Sequence, residues 1–304
     1  MVRYNLGTML QRCFLSLYLL AGLLGAGEKP ALEITSPLGT KFYSKPDEKG
    51  VVAAAEQALA ADPKNVKLFL KLSQAQNSIQ QIKEAVETCT RALAIEPDNA
   101  EVLTERGHRE LPLRQFARAR DDLKRAAKLD PTISDAYYHL GLANYFLGDF
   151  GPAADAFCHG ATLAKDQDSM VNFTNWCYAA SRRAGRKEEA EQALAKVGPE
   201  MQSNSGHTVF YFNLVRFFQG RMTEAEIAPP PPTPGDDESE LIFDTVGYGI
   251  GNWHLYNGER DKAIEYFRRI AKGHVWYTWG FIGSETELAH PIATSKRNWE
   301  LPRP

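Results

Sequence analysis

The sequence predicts an all-α, right-handed superhelical solenoid of antiparallel helix hairpins, on two observations. Pro63, Pro97 and Pro131 stand 34 residues apart, and each closes a helix-like run: AADPKN, AIEPDN and KLDPTI. A fixed period of this length means one helical hairpin per repeat, each stacked on its neighbours. Within a period, small residues such as Gly141 and Ala153 alternate with large ones such as Tyr137 and Phe157. Small residues let two antiparallel helices approach closely, and the large ones fill the wider gaps beside them.

The N-terminus reads as an export leader. Arg3 and Arg12 precede the apolar run 13–25, and Gly25-Ala26-Gly27 offers a cleavage site, so residues 1–27 are expected to be lost. The apolar run falls well short of the ~20 residues a spanning helix needs, so no membrane span is expected in the mature chain. Residues 28–47 read as a linker. The array then opens at 48–63 with a single helix, a half repeat, and continues to about residue 290 in about six units.

The unit 66–99 keeps Phe69, Leu72, Ala85, Cys89, Ala92 and Pro97. The unit 100–133 keeps Leu103, Gly107, Ala119, Leu123, Ala126 and Pro131, but Leu111-Pro112 replaces the turn glycine. In the clearest unit, 134–164, Tyr137, Leu140 and Gly141 lie on the first helix, Gly148-Asp149 at the turn, and Ala153 and Phe157 on the second. These residues resemble the tetratricopeptide pattern W-x2-L-G-x2-Y, A-x3-F, P. The unit 170–198 turns at Gly185 and slips by three residues, and 206–228 turns at Gly220. PPPPTPGDDESE (229–240) reads as an exposed polyproline-like loop. The unit 244–273 restores the pattern with Gly251, Gly258, Ala263 and Phe267. A terminal helix over 274–290 is expected to seal the core with Trp276, Trp279 and Phe281, leaving 291–304 as a tail.

The resemblance implies a non-catalytic scaffold that binds a protein or peptide segment in a concave groove lined by the first helix of each hairpin. It places Lys67, Leu70 and Gln74 at the entry, then Tyr138, Leu142 and Tyr145. Asn172, Asn175, Arg182 and Arg183 follow, and Phe210, Phe217, Tyr248, Asn252 and Tyr256 close the groove. Aromatic residues beside Asn and Arg suit an extended peptide, whose amides and carboxylates they match. The alternative is a structural accessory subunit of an envelope complex, docked through the aromatic stretch Trp276–Phe281 and the convex face.

Composition narrows the function further. The net charge is −3, and becomes −5 once Arg3 and Arg12 leave with the leader. The densest basic cluster, RRAGRK (182–187), is short, so no nucleic-acid partner is expected. The seven histidines are scattered, and no HExxH, CxxC, GxSxG or phosphate-loop motif occurs. GYGIGN (247–252) lies within a repeat helix, where glycine serves packing. Neither cofactor nor metal is expected. Leader removal leaves Cys89, Cys158 and Cys177, an odd count that argues against a disulfide framework. Cys158 and Cys177 fall on consecutive helices, and the sequence leaves open whether they meet.

Overall fold

A computed structural model describes residues 30–203, 206 and 208–289. The expected leader and tail lie outside these described residues. The stretch expected as a linker holds an antiparallel hairpin of β1 (Leu32–Thr35) and β2 (Lys41–Tyr43). Helix α1 (Val51–Ala61) follows, and the Asp47 carboxylate accepts from the N–H groups of Val51, Val52 and Ala53 at its start. An anion there satisfies donors that have no partner within the helix.

Three hairpins come next: α2 (Val66–Ser78) with α3 (Ile82–Ile95), α4 (Ala100–Glu110) with α5 (Phe116–Leu129), and α6 (Ser134–Phe146) with α7 (Phe150–Thr162). Asn65 and Asn99 cap α2 and α4, accepting from Lys67 and Val102 N–H. The later units are α8 (Gln167–Arg183) with α9 (Lys187–Leu194), α10 (Thr208–Phe218) with α11 (Glu224–Ile227), and α12 (Asp237–Tyr256) with α13 (Arg260–Ile270). Helix α14 (Trp279–Ala289) ends the described chain. From α1 to α9 each helix packs on the next, while α4 also touches α2 and α6, and α8 also touches α6, α10 and α12. The first helices of the hairpins therefore form a continuous inner wall.

One packing rule recurs along the array. A Cβ placed at Gly107 would lie 2.6 Å from Leu123, at Gly141 2.6 Å from the Phe157 ring, and at Gly251 2.8 Å from the Phe267 ring. In the first unit the corresponding residues are Ser73 and Cys89, whose side-chain O and S are 3.4 Å apart. Ala153 is fully buried in the same core as Phe157 and Trp176. Ala153→Leu should therefore cost about 1–3 kcal/mol through overpacking, with the damage confined to the α6–α8 region. An unchanged thermal melt would contradict this.

The irregular turns have a tertiary explanation. Gly148 has φ +80°, and the residues one and two periods earlier, Arg114 and Gln80, also have positive φ, 59° and 60°. A side chain in this region is strained unless its surroundings hold it. The C-terminal segment meets both: Arg114 pairs with Glu285, and Gln80 lies beside the Tyr277 hydroxyl. Leu111 and Leu113 are buried, so the turn that lacks its glycine is anchored by apolar packing as well.

The three-residue slip comes from α8, which has 17 residues against 13 in α6, one extra turn before Gly185. The proline-rich stretch is irregular only to its cap, Asp236; α12 already includes Asp237–Glu240. Helix formation there follows from Asp236 accepting from Glu238 N–H and from acids in the first turn. Cys158 and Cys177 are joined as a disulfide, against the expectation drawn from the odd count, and Cys89 is left free and buried.

Candidate functional site

The inner wall is largely filled by the chain itself. Helix α14 folds back onto α6, α12 and α13. Trp279 lies 5.7 Å from His108 and 6.0 Å from His139, which stack on each other at 4.0 Å. The Arg114 guanidinium donates to Glu285 at 2.5 Å, with both side chains almost fully buried. Arg183 donates to Glu287 at 2.6 Å and to Asn252 at 3.0 Å. Asn252 in turn donates to the Tyr145 hydroxyl at 2.5 Å. Two glycines allow the close seating: a Cβ at Gly280 would lie 2.1 Å from the Asp244 carbonyl oxygen, and one at Gly283 2.4 Å from the Tyr248 ring.

The β-hairpin seals the same side. Phe42 stacks on Trp276 at 5.7 Å and meets Phe281 edge-on at 5.6 Å. The Glu33 carboxylate accepts from Lys83 N–H, and Lys45 pairs with Asp237 at 2.9 Å. The two ends of the described chain thus meet across the array.

This arrangement relocates most of the expected groove. Leu142, Tyr145, Asn175, Tyr248 and Asn252 lie on inner helices but are buried, as are Phe217 and Tyr256. Arg183 is spent on Glu287, while Arg182 donates to the Tyr178 hydroxyl at 2.9 Å and to Asn257 at 2.8 Å. Tyr138, Asn172 and Phe210 are half-buried. Only Lys67 and Gln74 among the groove candidates stand fully exposed. Helix α14, which the repeat pattern does not encode, covers Tyr248 and takes up Arg183, while Phe217 and Tyr256 are buried between α8, α10 and α12. Trp276 and Phe281, in the aromatic stretch offered as an alternative docking face, are 2% and 1% exposed, while Tyr277 and Trp279 are half-buried.

One open depression remains on the first repeats. It encloses about 990 Å³ between α2, α4 and the start of α6, over Leu70, Gln74, Glu101, Thr104, Ile133 and Asp135. Glu105 lies at its edge, tied to Arg109 at 2.7 Å. Leu70 and Ile133 give it an apolar floor and the carboxylates give it an acidic wall. Among the described residues no group of three or more His, Cys, Asp or Glu side chains is arranged to hold a metal ion. No described helix is long and apolar enough to cross a membrane.

Three buried carboxyls make the fold sensitive to alkali. Burial pushes Asp244 up to about 8, and Glu33 and Glu110 up to about 7. Asp244 accepts from Thr278, at the entry to α14. Because these pKa values are raised above the ordinary 3.8 and 4.5, the folded chain holds more protons than the unfolded one. The stabilisation these three groups contribute is then full below about pH 4 and is lost as pH rises through 7–8. Each pKa unit is worth about 1.4 kcal/mol, so urea unfolding should show a clear loss between pH 5 and pH 8. Asp244→Asn should flatten that slope; an identical slope in the variant would contradict the assignment.

Two tetratricopeptide-repeat family models match, over residues 49–104 and 104–168. The segment from α1 to α7 therefore carries tetratricopeptide repeats. No curated protein matches the chain. Among solved structures, the crystal structure of MamA is 26% identical, covers 49% of this chain and 85% of its own, and superposes with a TM-score of 0.43. PilW, described as a widely conserved type IV pilus biogenesis factor, is 19% identical over 75% of this chain and 86% of its own, with a TM-score of 0.44.

Proposed function

We propose that this chain is an exported, non-catalytic scaffold that binds a segment of a partner protein in the open depression over α2, α4 and α6. The observation that carries the proposal is the division of the inner wall. Its C-terminal part is closed by the chain's own helix α14, while about 990 Å³ stays open over the repeats that match the tetratricopeptide pattern. An apolar floor flanked by polar and charged side chains is the composition that holds an extended segment by its side chains and backbone. Gln74 is exposed among its lining residues, and Lys67, one turn before Leu70 on α2, is exposed as well.

The test uses the partner that co-purifies with the tagged chain from its native envelope. Leu70→Ala and Glu101→Lys should each weaken its affinity by about 1–3 kcal/mol, with melting temperatures little changed for Glu101→Lys. Equal affinity in both variants would move the site elsewhere. Export is proposed from the leader-like residues 1–27; sequencing of the mature N-terminus should begin near Glu28, and an intact Met1 would contradict it.

A further inference from the structure

We infer that Cys158–Cys177 is a long-lived structural cross-link, installed by a disulfide-donating oxidoreductase during maturation, that braces the joint between the regular repeats and the C-terminal half. The compartment in which this happens rests on the export reading; the brace itself rests on position. Helices α2, α4 and α6 begin at residues 66, 100 and 134, one period apart, but α8 begins at 167 and runs 17 residues. The family match ends at residue 168, inside the first turn of α8. The disulfide joins α7, in the last regular unit, to this first irregular helix.

Helix α8 is the element on which the C-terminal half depends. It packs against α6, α7, α9, α10 and α12. Its Arg183 receives Glu287 from α14, and its Trp176 stacks on Phe157 at 5.7 Å. A tie at Cys177, midway along α8, fixes that helix where the repeat spacing no longer does. Elsewhere on the same seam, a Cβ at Gly160 would lie 2.2 Å from the Phe173 ring, so the two helices pack closely beside the bond.

The surroundings fit an inert bond and not an exchanging one. Cys177 is 2% exposed, between Trp176 and Tyr178, so an outside thiolate has access only to the half-buried Cys158 sulfur. Attack there would expel the Cys177 thiolate into an apolar core, a poor leaving group. The Glu189 carboxylate, 3.5 Å from the Cys158 sulfur, opposes approach of a further anion. Formation is balanced by the donor: the two thiols lose two protons and two electrons, the S–S bond forms, and the donor disulfide is reduced to a dithiol.

Alkylation of the chain isolated from its native host decides the matter. After denaturation, reduction should expose two more alkylatable thiols than are found without it, whether or not the leader remains. The linked peptides should contain Cys158 and Cys177. In the folded chain, millimolar dithiothreitol should leave the bond intact over hours while opening it in urea within minutes. The Cys158→Ser, Cys177→Ser double variant should melt about 5–10 °C lower, with faster amide exchange in α8–α10 and little change in α2–α3. Equal thiol counts before and after reduction, rapid reduction of the folded chain, or an unchanged melt would each overturn the inference. Because the thiol count is independent of the N-terminal sequence, a mature start near Glu28 with all cysteines free would sink the brace and leave export standing.

Discussion

Glu285→Ala is expected to destabilise the protein by about 3–5 kcal/mol, because it strands the Arg114 guanidinium without a counter-charge in a buried site. The paired side chains are 8% and 2% exposed, so water cannot take the place of the lost carboxylate. Arg114 also occupies a left-handed turn and lies over Trp276 and Phe281 at 5.8 and 5.9 Å. Losing its partner therefore loosens the α4–α5 turn, the hairpin seal around Phe42 and the seat of α14 together. Replacing both charges, as in Arg114→Met with Glu285→Leu, should recover much of the loss, since a buried pair exchanged for apolar residues of similar volume is often neutral. Urea unfolding of the two variants measures this. A single-variant loss below 1 kcal/mol would mean that the pair is solvated and that α14 is not seated as described.

Gly280→Ala should have a comparable effect for a different reason. Its added methyl would meet the Asp244 backbone carbonyl at 2.1 Å, and backbone in the middle of α12 has no room to retreat. Helix α14 must lift, so the expected cost is about 3 kcal/mol or more, at the upper end of overpacking. Gly283→Ala is the internal control. There the obstruction is the outer end of the Tyr248 side chain and not backbone, so a smaller cost, nearer about 1–2 kcal/mol, is expected. Thermal melts of the two variants should therefore separate them, with Gly280→Ala the lower.

The repeats were legible because their physics is local. The proline period, the Gly141–Phe157 type of pair and the turn at Gly148 each restate a contact within one hairpin, so the sequence carries them at fixed spacing. The candidate site was legible only in part, because it depends on a contact that no repeat encodes. Tyr145, Tyr248 and Asn252 lie on inner helices, yet Tyr145 meets Asn252 across more than a hundred residues and Tyr248 meets α14 at Gly283. The missing turn glycines were a signal for this. Gln80 and Arg114 stand where Gly148 stands in the third repeat, and both meet the segment 277–285. A repeat turn that tolerates a side chain at positive φ implies a tertiary partner, though not which one. The β-hairpin left a weaker trace: KFY alternates polar and apolar residues, but three residues are too few to separate a strand from a linker.

Hydrogen–deuterium exchange on the intact chain tests the division of the inner wall most directly. If α14 is seated against α6, α12 and α13, amides of residues 282–289 should exchange as slowly as those of α12 and far more slowly than the 229–235 stretch. Exchange of α14 as fast as that stretch would contradict the account, since the inner wall would then be open along its whole length and the site would revert to all the inner helices.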